Sequence, residues 1–425
     1  MSIAATPPMG WNSWDCYGTS VTEGEVLANA AFMAEHLKSY GWDTIVIDIE
    51  WYEPTARPGG YNPHAPLVLD RFGRPMPAPK RFPSAADGTG FATLAAQVHR
   101  LGLKFGLHIM RGIPRLAVEH RLPIKGTDVT AADIADQSSV CDWNTDNYGL
   151  NHDHPGAQAY YDSLAELFAA WGVDFVKADD MLGPYHEAEI NALSRALAAS
   201  GREMVLSLSP GRVLSLAHAD HLAAHGHMWR ISDDLWDRWV DVLAQFERLA
   251  RWAPIAGAGA WPDADMLPLG HIGIRAERGV DRASLLTPDE QRTLITLWCM
   301  ARSPLMFGGD LPTSAPEAID LITNEAVLAI LKASCENRQV IRDDDLVVWT
   351  ATATDRPGGY VAIFHTGDLP RAYDVPLSSV GMVSATTAAE LWSTPDESPS
   401  ADVDFVTKSI SAKVPPHGVV LLHLS

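Results

Sequence analysis

Phe175, Lys177 and Asp179 fall at alternate positions at the end of an apolar run. A strand through them puts an ammonium and a carboxylate on one face. Charge in such a place is costly to desolvate, and it marks chemistry more often than packing. A second segment, Met228–Asp234, repeats the pattern with Arg230, Ser232 and Asp234 on one face. Two carboxylates at the ends of different strands, each beside a fixed cation, are the minimum machinery for cleaving a glycosidic bond.

Short β-branched runs alternate with longer helical patterns, which predicts repeated βα units. Candidate strands are Met9–Trp14, Thr44–Asp48, Lys104–Ile109, Phe175–Asp179, Met204–Ser209, Met228–Asp234, Trp252–Ala256 and Leu297–Phe307. Helical stretches between them include Glu23–Tyr40, Phe91–Leu101, Ala157–Trp171 and His186–Ala199. Eight units fit a closed (β/α)₈ TIM barrel over residues 1–335, with the charged positions at the carboxyl ends of the strands, where barrel sites form. A doubly wound sheet is the alternative, but no Gly-x-Gly-x-x-Gly follows the first strand. From Glu336 the texture changes to strand-like runs such as Leu346–Thr352, Tyr360–His365 and Val419–Leu424, separated by turn residues. An antiparallel β-sandwich domain is therefore expected over 336–425. The Pro/Gly-rich stretch Pro54–Pro83 follows the second strand and is too long for an ordinary connection, so it is expected to face substrate.

Composition narrows the partners. The chain has 425 residues, 47% hydrophobic and 20% charged, enough for one large and one smaller core. A net charge of -21 argues against nucleic acid and anionic membranes, and favours a small neutral ligand. The opening residues lack a basic, apolar leader and no stretch is suited to crossing a bilayer, so a cytoplasmic address is expected. Cys16, Cys141, Cys299 and Cys335 lack metal-ligand spacing and read as reduced thiols. No metal and no cofactor are called for.

The motifs carry a family resemblance. Thr6–Trp14, Val173–Asp179, Arg230–Asp234, Trp261–Leu267 and Ser303–Asp310 resemble, in order, those of the retaining α-galactosidases of glycoside hydrolase family 27. The closing Pro415–Leu422 is similar to the end of that family's β domain. The resemblance implies that Asp179 is the nucleophile and Asp234 the general acid/base. It further implies that Trp14 stacks on the sugar, that Asp48, Lys177 and Arg230 bind its hydroxyls, and that Ser209 lies near the 2-hydroxyl. Independently of the family, Lys177 on the face of Asp179 is expected to keep that carboxylate ionised, and double displacement requires the two carboxyl groups about 5–5.5 Å apart.

One position departs from the family. Where α-galactosidases have two adjacent aspartates, this chain reads Ile47-Asp48-Ile49-Glu50. The second of those aspartates holds the 6-hydroxyl of galactose, so Ile49 offers apolar surface where a hydroxymethyl arm needs a partner. β-L-Arabinopyranose is D-galactopyranose without that arm, and a β-L-arabinopyranoside has the linkage geometry of an α-D-galactoside. A β-L-arabinopyranosidase with secondary α-galactosidase activity is expected; an ordinary α-galactosidase follows if Glu50, on the same strand face as Asp48, restores the hydrogen bond.

Other residues support competing readings. His218, His221, His225 and His227 with Asp220 have helical spacing suited to a transition metal, and His108, Asp48 and Asp179 together resemble the ligands of a metal-dependent barrel hydrolase. The preferred expectation is that His108 lines the sugar pocket, with Arg111 and Arg115 nearby. Asp142, Trp143 and Asp180 are further pocket candidates. A sugar-binding protein without turnover is the non-enzymatic alternative. Trp236 and Trp239 suit either a homo-oligomer interface or an aglycone platform.

Overall fold

The structure, a computed structural model, describes residues 3–393 and 400–425. Its core is one sheet of eight parallel strands: β1 (Met9–Asn12), β2 (Thr44–Ile47), β3 (Lys104–Met110), β4 (Phe175–Asp179), β5 (Val205–Leu208), β6 (Met228–Arg230), β7 (Trp261–Asp263) and β8 (Leu305–Phe307). From β1 to β7 each strand pairs with the next in sequence, and β8 pairs with β1. Past β7, the Leu267 N–H donates to the Met306 carbonyl at 2.8 Å and the Gly308 N–H to that of Leu267 at 2.9 Å, which closes the ring. The result is a (β/α)₈ barrel, and the alternative of an open doubly wound sheet is set aside.

The helices start where the sequence supplies their caps. Helix α1 (Glu23–Phe32) opens on a capping box of Thr22 and Glu25. It runs on through a π turn and a 3₁₀ turn to Tyr40. Helix α2 spans Ala92–Arg100, α3 Pro155–Trp171, α4 Glu187–Ala199 and α5 Ala219–His225. Proline occupies the first turn of α3, and Gly172 ends the helix in the left-handed conformation at φ 82°.

One of the eight expected strands lies elsewhere, and another is extended only over its last residues. Trp252 is the last residue of helix α6 (Trp239–Trp252), whose buried stripe Val242, Phe246, Leu249 and Trp252 repeats at helical spacing, and the true strand is Trp261–Asp263. Likewise Leu297–Ala301 closes helix α7 (Pro288–Ala301) and only Leu305–Phe307 is extended. Every residue of α7 from Thr293 to Ala301 is buried, which erases the periodicity that separates a helix from a buried strand. Strand β6 also stops at Arg230, so Asp234 reaches the site from the following loop.

From Ser334 the chain is antiparallel. Strands β9 (Ser334–Asp343), β10 (Leu346–Ala353), β11 (Gly359–His365), β12 (Arg371–Pro376), β13 (Ala388–Glu390), β14 (Ala401–Asp404), β15 (Ser409–Val414) and β16 (Val419–Leu424) form a five-stranded and a three-stranded sheet. Alternate residues, including Val361, Ile363, Val375, Ile410 and Val420, meet between them as a β-sandwich. The opposite face, with Trp349, Phe364 and Leu421, joins the barrel's hydrophobic core. Among the described residues no helix is long and apolar enough to cross a membrane.

Candidate active site

A cavity of about 670 Å³ opens at the carboxyl end of the barrel, and Trp14, Asp48, Lys177, Asp179 and Asp234 line its inner part. The barrel places them by register. On β4, Phe175, Lys177 and Asp179 do face one way, and β3 sets His108 opposite Lys177 and Met110 opposite Asp179. Trp14 follows β1 and Asp48 follows β2.

Lys177 does not pair with Asp179, as same-strand alternation suggested. Its Nζ lies 2.7 Å from Oδ2 of Asp48, which follows the strand on the far side of β3, and Asn12 donates to the same oxygen at 2.7 Å. Burial alone would raise the Asp48 carboxyl; Lys177 and then His108 outweigh it and hold it below its ordinary value. Asp179 has different partners. His108, fully buried, holds Asp179 Oδ2 through Nε2 at 3.0 Å, and the Asp180 amide donates to Oδ1 at 2.9 Å. Burial opposes ionisation here too, but the His108 hydrogen bond and charge, Lys177 and the Asp180 amide together hold the carboxyl well below the usual range. His108 therefore stands behind Asp179 instead of lining the cavity.

Asp234 sits in a more open setting. Its side chain is 42% exposed, and Arg230 reaches it at 3.3 Å. The other arm of Arg230 is 2.7 Å from Asp265, a buried carboxylate that strand alternation does not single out. Asp265 also accepts from the Leu235 N–H at 2.6 Å, tying the segment after β7 to the loop that carries Asp234. Burial, against Arg230, and then the charges of Asp234 and Asp263 raise the Asp265 carboxyl. The loop approaches so closely that a Cβ on Gly211 would lie 1.6 Å from the Arg230 carbonyl oxygen, which only glycine permits.

Four other expected substrate-binding residues, Ile49, Glu50, Ser209 and Arg230, are not among those that line the cavity. Glu50 has φ 64°, and this left-handed turn takes its side chain off the face of Asp48. Its carboxyl is fully buried without a hydrogen-bond partner, and burial, then Asp146 and Glu53, push it up to about 9. Ile49 is buried in the apolar cluster that contains Trp14, Met110, Cys141 and Trp236. Ser209 is buried with its Oγ unpartnered. Asp180 and Asp265 share the positive φ of Glu50, at 61° and 92°. Such strain in three residues that follow barrel strands is characteristic of a functional rim.

Residues from the long connections complete the wall. Tyr61, from the Pro54–Pro83 excursion, stacks on Trp14 with ring centroids 5.8 Å apart and meets Trp143 at 5.6 Å, and all three line the cavity. Arg111 instead pairs with Asp180 at 2.8 Å, and Arg115 donates to the Asn147 carbonyl. Asp142 is exposed, Trp236 is buried, and Trp239 stacks on His417 at 4.1 Å. His221 is held by Tyr185 and Asn191 and packs on His225, and Tyr185 stacks on His218. Among the described residues no three His, Cys, Asp or Glu side chains converge on a metal position.

The architecture and these motifs match known proteins. The family model for alpha galactosidase A matches residues 142–333, and that for the alpha galactosidase C-terminal beta sandwich domain matches 343–424. A solved β-L-arabinopyranosidase of glycoside hydrolase family 27 from Geobacillus stearothermophilus, in complex with arabinose, is 47% identical, with a TM-score of 0.93 over 100% of this chain and 98% of that one. An alpha-galactosidase from Cyamopsis tetragonoloba is 26% identical over 98% of this chain and 85% of its own length. An alpha-N-acetylgalactosaminidase from Gallus gallus is 26% identical over 89% and 84%.

Proposed function

Because the chain belongs to glycoside hydrolase family 27 and is a glycoside hydrolase, we propose that it is a retaining exo-β-L-arabinopyranosidase with secondary α-D-galactosidase activity. In this reading Asp179 attacks the anomeric carbon while Asp234 protonates the departing oxygen, giving a covalent glycosyl-enzyme. Asp234 then takes a proton from water, which attacks the same carbon and releases the sugar with its configuration retained. The cage of His108, Lys177 and the Asp180 amide suits Asp179 to the first role, since the attacking group must be an anion. The solvent-open position of Asp234 suits it to exchange protons. Asp48, Lys177 and Arg230 are the proposed hydroxyl-binding groups, and Trp14 with Tyr61 supplies the apolar wall.

The observation that carries the pentose preference is the pair Ile49 and Glu50. Ile49 brings no acceptor to the position beside Asp48, and the turn at Glu50 takes the next carboxylate out of the cavity. A bare ring methylene buried there needs no hydrogen-bond partner and gains about 0.8 kcal/mol per buried CH₂. A galactose hydroxymethyl group would bury a hydroxyl without a partner, at about 1–3 kcal/mol. Discrimination of this kind reaches only about 10²-fold, so galactosides remain slow substrates. The Geobacillus relative, with which this chain aligns over its whole length, is itself a β-L-arabinopyranosidase.

The test is kcat/KM for 4-nitrophenyl β-L-arabinopyranoside against the α-D-galactopyranoside, with the anomer first released followed by NMR. The expected result is a preference for the arabinoside with retained configuration. A galactoside preference overturns the pentose assignment, and an inverted product overturns the roles of Asp179 and Asp234.

A further inference from the structure

The cavity is larger than the sugar it is proposed to hold. The ten heavy atoms of a pentopyranose each displace less than the ~30 Å³ of a liquid water, so the ring needs well under ~300 Å³. With the ring in place, more than half of the 670 Å³ would remain for the group on the other side of the scissile bond. One face of α6, through Val240, Ala244 and Arg248, walls this outer part together with residues of the loops after β5 and β6.

Its charge is unlike that of the molecule. In a chain of net charge -21, four guanidinium groups, Arg212, Arg238, Arg248 and Arg278, line the outer part beside three carboxylates. Two of the four are neutralised nearby. Arg238 grips Asp241 with two hydrogen bonds of 2.8 Å, and Arg278 has Glu277 at 3.5 Å. The other two are held more loosely. Among the described residues Arg212 pairs only with Asp233, at 3.8 Å with both side chains more than half exposed, and Arg248 makes no ion pair. Burial, and then the like charge of Arg212, hold the half-buried Arg248 below its ordinary value. Two guanidinium groups in one cavity wall that share the single loosely held carboxylate of Asp233 can act as an anion clamp, since planar N–H donors match carboxylate and phosphate oxygens.

We propose that the outer cavity binds a leaving group bearing an anion, a uronate carboxylate or a phosphate monoester, held between Arg212 and Arg248. This deepens the glycosidase reading and rests on it. The anion adds binding at the leaving group while the bond broken remains the glycosidic one, so no new chemistry is required. Overall negative charge repels polyanions at long range, but a single anion within a few ångströms of two arginines is inside the screening length.

The test uses three substrates with the same terminal pyranosyl group, on glucose, on glucuronate and on glucose 6-phosphate, assayed at low and high salt. At low salt one or both acidic substrates should show kcat/KM about tenfold above the glucoside, an advantage that shrinks in high salt. An advantage confined to glucuronate assigns the site to carboxylates, and one confined to the phosphate assigns it to phosphate monoesters. In R212Q/R248Q the ratio of acidic to neutral substrate should fall to about one. Because each ratio is taken within one preparation, partial loss of folded enzyme cancels. A wild-type ratio of one or less, or an advantage that survives both substitutions, overturns the anion clamp. Failure of the wild type to cleave any of the three substrates would instead overturn the underlying assignment of Asp179 and Asp234.

Discussion

Replacing His108 by leucine separates the two forces on Asp179. In the native chain burial works against the carboxylate, and the His108 hydrogen bond and charge head the groups that reverse it. Nε2 lies 3.0 Å from Oδ2 with the imidazole fully buried, so no water can take over the contact. A hydrogen bond to a charged group contributes about 1.5–3 kcal/mol. At 1.36 kcal/mol per unit, its loss should raise the Asp179 pKa by about 1–2 units. Lys177 and the Asp180 amide remain, so the group should still ionise below neutrality. If Asp179 is the nucleophile, the acid limb of the pH profile of kcat/KM moves up by that amount, and activity at the plateau falls less than activity at low pH. The assay is initial-rate hydrolysis of an activated aryl glycoside across the acid range, with circular dichroism at each pH to exclude unfolding. An acid limb that stays in place while the plateau drops would show that His108 acts on something other than the ionisation of Asp179.

Three further outcomes follow from the same geometry. Ile49→Asp should shift the ratio of galactoside to arabinoside kcat/KM toward the galactoside by about 10–10²-fold, and an unchanged ratio would show that this position does not act on C5. Asp234→Ala should cost about 10²–10⁴-fold on glycosides with poor leaving groups and far less on dinitrophenyl glycosides, which need no protonation; equal losses on both would remove Asp234 from the acid role. Glu50→Gln should stabilise the fold increasingly with pH. A carboxyl raised to about 9 contributes stability that is intact below its unfolded pKa and is lost as pH climbs toward the folded value, so removing its charge should gain up to a few kcal/mol more at pH 8 than at pH 5 in denaturant melts. A gain that is flat across that range refutes the buried, protonated state of Glu50.

Much of this arrangement is legible in the chain, for reasons that also explain the gaps. Strands β2 and β4 stand out because short apolar runs end on Asp48 and Asp179, and alternation then fixes the faces of Lys177 and Asp179. Alternation says which way a side chain points but not what it meets across a curved sheet. It therefore pairs Lys177 with Asp179, where the curvature of the sheet around β3 pairs it with Asp48. It also fails at Glu50, because one left-handed residue ends the period of two. Strand β7 is misplaced and β8 overextended by pattern because three-residue strands beside long, evenly buried helices carry too little signal of their own. Tyr61 is foreseeable only as a property of its segment: the length of the Pro54–Pro83 connection signals a role, and the Gly59-Gly60-Tyr61 tip is the available clue. Asp265 has the sharper signal, lying within the Trp261–Leu267 motif, but its partner Arg230 reads first as the companion of Asp234.

That division of Arg230 bears on the different parts proposed for the two aspartates. A nucleophile must be an anion throughout its attack, whereas an acid/base must lose a proton and recover it within each cycle. Asp179 is 15% exposed and enclosed by fixed donors, an environment that favours a single charge state. Asp234 is open to solvent, and its one cation is shared. If Arg230 closed fully on Asp234, the ion pair would favour the anion and oppose the protonated form that the first step requires. Asp265 takes the shorter contact, 2.7 Å against 3.3 Å, and so keeps Arg230 oriented without committing it to Asp234. The asymmetry of the site thus lies less in the two aspartates than in what holds their partners: a buried imidazole that belongs to one, and an arginine whose better hand is already engaged.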